Sequence, residues 1–580
     1  MTDSACDSIL ILSSEIELPT NDRIWGTGGW LKPEEREALD WLTLSRFMGW
    51  GATVVHRTNL LLDRNFSFQN RLIVIACEPN SIEDQIFKHI ANRIELEPIV
   101  VVARIGQPGT VFASLSGAAR TSDRISGRAL EWIGPGEKSS WYCRNKINAN
   151  RIALSKEISI WATLDGVPLV VAKKMGQGLV VTIGFHPSRA RDTDGATTAL
   201  LKHLLIWGSL PPVAWIDLKG SLVLRIDDPG SAESVYHRSF SFPKLQKSQW
   251  EVIGNDLKQR NARMSIGYSA GWVDDGDTAR GVLKVAGVVP SRIPGQVYPS
   301  PLVTYQDRNG HEPGTFNDYE SEFRGIQALR KAGLGDVELH GYTHMHPDSA
   351  SWAKAIDRYE SLNWYRELGH PAMTAITARP LAEHPLALGI SAFRQYFHVQ
   401  PTTLICPGDE WTNEVLECAL SLGLHLVSSY YLALRYRERF CWAQHVCSPY
   451  LDQPDPAWFE AGLPIVGYFH DYDVALKGVN WMRNWLDQWQ SAGARKFMDF
   501  RELAAAVSRT YSLEEHGNGL RLMVRDERAP RLVRPLEVMI RVSEGKLPSQ
   551  VSVSLDNKDL WLKVCPLDHS MGSVILPASV

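Results

Sequence analysis

Residues 221–230 read SLVLRIDDPG, an apolar run that stops at two aspartates, a proline and a glycine. The same rhythm returns three times further along. Asp336–Leu339 runs into His340-Gly341-Tyr342-Thr343-His344, and Thr402–Cys406 runs into Pro407-Gly408-Asp409-Glu410-Trp411. Leu463–Phe469 runs into His470-Asp471-Tyr472-Asp473. Between them lie further strand candidates, Met264–Tyr268 and Leu424–Ser428, and helical stretches such as Glu251–Arg260 and Glu320–Ala332. Polar residues at the carboxyl ends of successive strands are the habit of β/α barrels, where strands hold the side chains and loops vary. The pattern predicts a central β/α barrel with its site at one mouth.

As chemistry, one carboxylate with His-x-x-x-His offers an oxygen and two imidazoles, a facial metal set that leaves positions open. A second carboxylate beside the first can act as a base. His-x-x-x-His spacing alone is weak, because geometry and not spacing defines a metal site. The series is stronger: an Asp-Asp pair, a His-x-x-x-His and a later His-Asp each follow a separate strand, in that order.

These motifs resemble those of the NodB-like polysaccharide deacetylases, in a divergent form. The usual T-F-D-D-G stands here as R-I-D-D-P-G, H-(S/T)-x-x-H as H-G-Y-T-H, and the terminal L-L-H-D type as Y-F-H-D. Gln259–Gly271, QRNARMSIGYSAG, resembles the family's second helix–strand step. The resemblance runs from about Lys219 to Val507. It implies that Asp228, His340 and His344 hold a divalent metal, zinc before cobalt or nickel, with Asp227 as general base and His470 as general acid. It also implies an oxyanion donor among the backbone N–H groups near Gly408 or Asp409. The implied reaction is removal of N-acetyl, or less readily O-acetyl, groups from an acetylated carbohydrate or glycan precursor. Two alternatives stay open: hydrolysis of a non-sugar C–N bond, and a catalytically inactive glycan-binding module.

The family's third motif carries an Arg that holds the catalytic Asp. Here the matching stretch is L-I-C-P-G-D-E-W, without one. Arg225 lies two residues before Asp227, so strand alternation puts both on one face, and Arg225 is the expected replacement. For the fourth motif, Asp455 and Trp458 are a loose candidate. Trp272 and Trp411 each follow a strand and read equally as sugar platforms or as core. Asp274-Asp275-Gly276-Asp277 reads as a solvated turn, with calcium binding as the alternative. His346 is a second choice to His344, and His237, His370 and His398 read as ordinary histidines. Gly281–Asn317 is a Pro- and Gly-containing insertion, either a substrate-binding loop or a surface excursion.

Outside this region the chain changes character. Up to about Gly208, short apolar strands (Ser8–Ser14, Ala52–His56, Arg71–Ala76, Pro98–Arg104) alternate with helices at Pro33–Phe47 and Ser81–Asn92. That alternation predicts a flavodoxin-like, mainly parallel α/β domain. Ser159–Phe185 reads as hairpins turned at Asp165-Gly166 and Gly176–Gly178. GVPLVVAKKMGQGLVVTIGFHP resembles part of class I glutamine-amidotransferase-like domains, although Cys77 lacks the flanking glycines of their nucleophile and reads as a structural thiol. Leu210-Pro211-Pro212 marks a boundary. Leu520–Val580 alternates in short strands and reads as a small β-domain. The expected division is 1–210, 219–510 and 511–580, an α/β multidomain chain of 580 residues.

Composition narrows the partners. A net charge of -4 without a long basic run argues against nucleic acid, which needs clustered Lys and Arg. No apolar run is long enough to span a bilayer. MTDSACDSILILSSE lacks the features of a secretory signal, and the eight scattered Cys suit reduced thiols, so a cytoplasmic protein is expected. A homo-oligomer is compatible with all of this.

Overall fold

Side chains alternate across a strand, so an apolar run such as Ile9–Ser13 needs cover on both faces. The computed structural model, which describes residues 9–14, 33–56, 71–191, 195–348, 366–369, 380–429, 431–443, 447–449, 456–517, 519–525, 528–555 and 558–578, supplies it. Ile9–Ser13, Ala52–His56, Leu72–Ala76, Val100–Arg104 and Gly178–Ile183 are parallel, in the order second, first, third, fourth, last. That is the order of flavodoxin-type sheets. Ile9, Ile11 and Val74 join one core with Leu39 and Leu42 of helix Pro33–Phe47. Leu10, Leu12 and Ile73 join another with Phe87 and Ile90 of helix Asp84–Leu96.

The same sheet continues antiparallel through Val167–Met175 and Ser159–Leu164, turning at Asp165-Gly166 with φ of 47° and 77°. Two consecutive positive φ values match the twist of a tight hairpin. It ends in a long hairpin, Ala118–Trp132 with Ser139–Leu154, which sequence reading did not resolve. Its strands are largely exposed and carry charge on both faces, so no period of two marks them.

The central sheet has its functional strands as β1 (Ser221–Asp227), β2 (Met264–Tyr268), β3 (Gly335–Leu339), β4 (Thr403–Ile405), β5 (Leu426–Ser428), β6 (Ile465–His470) and β7 (Lys496–Met498). They run parallel in the order β5-β4-β3-β2-β1-β6, with β7 against the start of β1. An antiparallel hairpin, Leu432–Tyr436 with Arg439–Ala443, extends the β5 edge. Cys447–Pro449 flanks β6. The strand order is barrel-like, but among the described residues the hydrogen-bonded path stays open. Register pairs Asp227 with His470 and Tyr268 with Leu339, which brings the carboxyl ends level.

A third, seven-stranded sheet gathers the C-terminal strands. Its edge is Val213–Ile216, directly after the Pro-Pro boundary, antiparallel to Leu536–Arg541. The chain thus contributes a strand to this sheet before it enters the central one. No helix among the described residues is long and apolar enough to cross a membrane.

The Gly281–Asn317 insertion is structured. It forms a three-stranded antiparallel sheet (Gly281–Val285, Val303–Asp307, Phe316–Asp318), and Val297–Pro299 pairs with Gly271–Val273. Trp272, expected as either a platform or core, is core: it is 0% exposed, packed on Tyr236, Tyr305 and Tyr319. It offers no face to a sugar. The expected solvated turn at Asp274–Asp277 is likewise corrected. Asp274 and Asp275 are buried and both engaged by Arg292, with Arg280 on Asp275. The carboxylates face guanidinium groups, which removes the calcium reading. The positive φ of Gly276 does make a turn there.

Replacing Trp272 with Ala is expected to lower unfolding free energy by about 3–5 kcal/mol, the cost of a large buried cavity. Denaturant titration reads this directly, and a loss below about 1 kcal/mol would remove Trp272 from the core.

Candidate functional site

The corner after β1 sets the site. Asp227 ends the strand and Asp228 turns away with φ of 76°, a conformation rare for a residue with a Cβ. The loop after β3 repeats the device at His344, φ 63°. Both corners are held by buried polar partners. Gly230 N–H donates to Glu322 at 2.8 Å, and Lys244 Nζ donates to the Asp228 carbonyl at 3.3 Å. The Glu367 carboxylate accepts from the N–H groups of Tyr342, Thr343 and His344 at 2.8–3.2 Å and from the Thr343 hydroxyl at 3.0 Å.

So held, the side chains converge. His340 Nε2 is 3.1 Å and His344 Nε2 3.4 Å from Asp228 Oδ1, and the two imidazoles lie 4.7 Å apart. One ligand atom from each of the three lies within 4.8 Å of the others, and all three residues are buried. His340 Nδ1 is 3.1 Å from the Ile405 carbonyl, which fixes the ring and leaves Nε2 toward Asp228. His344 Nδ1 lies 3.1 Å from Glu233 Oε2. An oxygen and two nitrogens, oriented from behind, suit zinc or a similar divalent ion.

Asp227 stands beside them. Arg225 Nη2 donates to its Oδ2 at 2.5 Å, while Oδ1 is buried without a hydrogen-bond partner. A Cβ on Gly267 would come within 3.0 Å of that oxygen and 3.5 Å of the His340 Cβ, so glycine keeps the space open. Arg225 is itself fixed by Ser428 Oγ at 2.9 Å, the Ser429 carbonyl at 3.2 Å and the Tyr468 ring at 3.8 Å. The guanidinium that the third motif lacks thus reaches Asp227 from its own strand. His470, at the end of β6, stacks on Tyr472 at 5.2 Å with Asp473 Oδ2 3.6 Å from its Nδ1.

Electrostatics separates His470 from His344. Burial opposes charge on His470, but Asp228, Asp473 and Asp227 outweigh it and push the imidazole up to about 9. Burial and the neighbouring His340 push His344 down to about 3, so it stays neutral and able to ligate. Burial also opposes charge on Asp228, yet His470, His340 and His344 hold it well below the usual carboxylate range. Burial, with Asp228 and Asp471, raises Glu233 well above its ordinary value.

A cleft of about 330 Å³ is lined by Asp227, Asp228, His340, His344, Gly408, Asp409 and His470, with Glu233 and Arg366 among its other walls. Of the expected site residues, these seven share one cavity. Two readings are corrected. The Asp409 N–H, expected as a candidate oxyanion donor, instead donates to Cys406 O at 3.0 Å. Trp411 is 3% exposed within the main core and does not serve as a platform. Trp458 packs against Gly195 and is not among the residues that line the cleft, while Asp455 and His370 lie outside the described residues. No residue of the Gly281–Asn317 insertion lines the cleft among its described walls, although Ser300 Oγ donates to the Gly230 carbonyl at 2.7 Å and so braces the Asp228 corner.

Sequence reasoning missed Glu367, Glu233, Glu322 and Lys244. Glu233 carried a signal, five residues beyond Asp228 at the start of a short helix. Glu367 carried none, since its three N–H partners lie 23–25 residues away.

No family model matches the chain, and no curated protein matches it. Solved structures similar to parts of it include an exo-β-1,4-mannosidase from the Opitutaceae bacterium strain TAV5, at 14% identity and TM-score 0.23, covering 32% of this chain and 32% of that one. A cytoplasmic protein of Salmonella typhimurium is similar at 11% identity and TM-score 0.25, over 35% of this chain and 99% of its own. A mutant CE4 family pseudoenzyme with restored enzymatic activity is similar at 9% identity and TM-score 0.23, over 48% of this chain and 70% of its own. The chain therefore spans about a third of the mannosidase's length.

The metal-stripped chain should show the charge state of His470. Because its folded pKa lies above the ordinary histidine value of about 6.5, its stabilisation is complete below that pH and is lost as pH rises through about 9. Unfolding free energy measured from pH 6 to 10 should fall across this window, and His470→Gln should flatten the fall. An unchanged profile in the variant would contradict the assignment.

Proposed function

We propose that the chain is a metal-dependent deacetylase that hydrolyses the acetamide of an N-acetylated carbohydrate, with O-acetyl groups as second substrates. The observation that carries this reading is the convergence of Asp228, His340 and His344 beside an Asp227 oxygen left open and a His470 held protonated at neutral pH. The motif resemblance to NodB-like deacetylases supports it.

Asp228, His340 and His344 would hold the ion, zinc before cobalt or nickel, which supplies Lewis-acid polarisation of the acetyl carbonyl and acidifies water. Asp227 takes a proton from the attacking water through Oδ1, while Arg225 holds Oδ2 and keeps the carboxylate aimed. His470 donates a proton to the departing amine, and Asp473 and Tyr472 set the plane of its ring. The Gly408 N–H, on a residue that lines the cleft, would donate to the developing oxyanion. Water and the acetamide become acetate and a free amine. The division at 1–210, 219–510 and 511–580 and a cytoplasmic, glycan-precursor substrate belong to the same proposal.

Acetate release from acetylated chito-oligosaccharides and small N-acetyl sugars tests it. Asp227→Asn and His470→Gln should each lower kcat by about 10²–10⁴-fold, the usual worth of a positioned base or acid, while metal stays bound. Activity unchanged in Asp227→Asn would overturn the assignment. Saturable glycan binding with metal bound but no acetate formed would make the cleft a binding module. Arg225→Met should lower kcat more than it raises KM, because Asp227 loses the partner that aims it.

A further inference from the structure

The N-terminal sheet has a cleft of its own. In doubly wound sheets, ligands sit outside the carboxyl ends of the strands where the strand order reverses. Here that point lies between Ile9–Ser13 and Leu72–Ala76, which are neighbours in the sheet while the chain departs from them in opposite directions. Ser14 and Cys77 follow those two strands directly, and both line a cleft of about 720 Å³, a size suited to a small molecule.

Its walls are basic. Arg104, Arg120, Arg124, Lys146 and Arg189 line it, against Glu78 as its lining carboxylate. This is a local excess of cations in a chain whose net charge is -4. Two of the cations are anchored. Arg104 reaches Glu78 at 2.6 Å and the buried Glu37 at 3.0 Å, and Arg120 lies 3.9 Å from Glu78. Arg124 and Lys146 are exposed on the long hairpin, whose strands pair Arg124 with Asn150 and Ser126 with Asn148. Asn150 N–H donates to the Gly184 carbonyl at 2.8 Å, which brings the hairpin across the end of Gly178–Ile183 and turns its cations toward the strand ends. Burial pushes the Glu37 carboxyl up to about 7, despite Arg104, so it offsets the cations only in part at neutral pH.

We propose that this cleft binds a small polyanion, a phosphorylated or polycarboxylated metabolite, at the switch point of the N-terminal sheet. The anion takes its charge pairing from Arg120, Arg124 and Lys146 on the hairpin and from Arg104 and Arg189 on the sheet side. Close placement of several cations around one small cavity gives charge-assisted hydrogen bonds that a scattered basic surface does not.

Isothermal titration of the full-length chain with inorganic pyrophosphate and, separately, citrate tests this at about 0.15 M salt, where weak surface pairing is screened. The His340→Ala/His344→Ala background is used so that neither probe acts through a metal at the central site. One-to-one binding of either probe is expected, and the tighter of the two assigns phosphate or carboxylate chemistry. Arg120→Gln/Arg124→Gln should weaken it at least about tenfold, and so should Lys146→Gln. The exposed hairpin side chains leave the fold intact, which thermal melting checks. Failure of both probes to bind, or binding unaltered in both variants, overturns the proposal and leaves the reading of the central site untouched.

Discussion

The site depends on one carboxylate held among three imidazoles. Asp228 occupies a left-handed corner that a glycine would adopt at no cost, and such strain persists only where the surroundings over-determine it. Here they do. Its side chain faces His340, His344 and His470, and its carbonyl accepts from Lys244. Lys244 is fully buried, ion-paired with Asp471 and 3.5 Å from Glu322, which in turn accepts from Gly230. Burial lowers a lysine, but Asp471 and Glu322 more than reverse that and hold this one charged. One ammonium therefore ties the β1 corner, the residue after His470 and the helix Tyr319–Lys331 into a single polar unit. Removing one partner of such a unit strands the others as buried charges, which costs far more than the pair contributes when intact.

Around this unit the protonation states fall into place by environment. His344 lies deep and beside another imidazole, so it is neutral. His470 sits at the cleft with three carboxylates nearby, so it is charged. Two histidines that line one cleft thus hold opposite states, set by their surroundings. Arg225 completes the set by leaving one Asp227 oxygen bound and the other open.

Much of this was legible in the sequence, for a physical reason. Strands buried on both faces read as continuous apolar runs, and the polar residues that end them stand out. That is why Met264–Tyr268 and the strand ends at Asp227, Leu339 and His470 emerged directly. The Arg225–Asp227 pair followed from alternation along one strand. What stayed hidden was non-local. Glu367 acts on backbone groups more than twenty residues away, and Trp272 was undecidable until the Gly281–Asn317 insertion folded over it. The long hairpin at Ala118–Leu154 carries charge on both faces and shows no period, so the basic cleft it helps to form was invisible as well.

The claim on which the rest stands is that Asp228, His340 and His344 form a metal site. Metal content of the purified chain, with cobalt substitution followed by visible absorption, tests it most directly. About one divalent ion per chain is predicted, with cobalt showing the ligand-field bands of a low-coordinate nitrogen and oxygen site that vanish in His340→Ala/His344→Ala. A chain that takes up no zinc, cobalt or nickel, or that binds them equally well without the two histidines, would contradict the account.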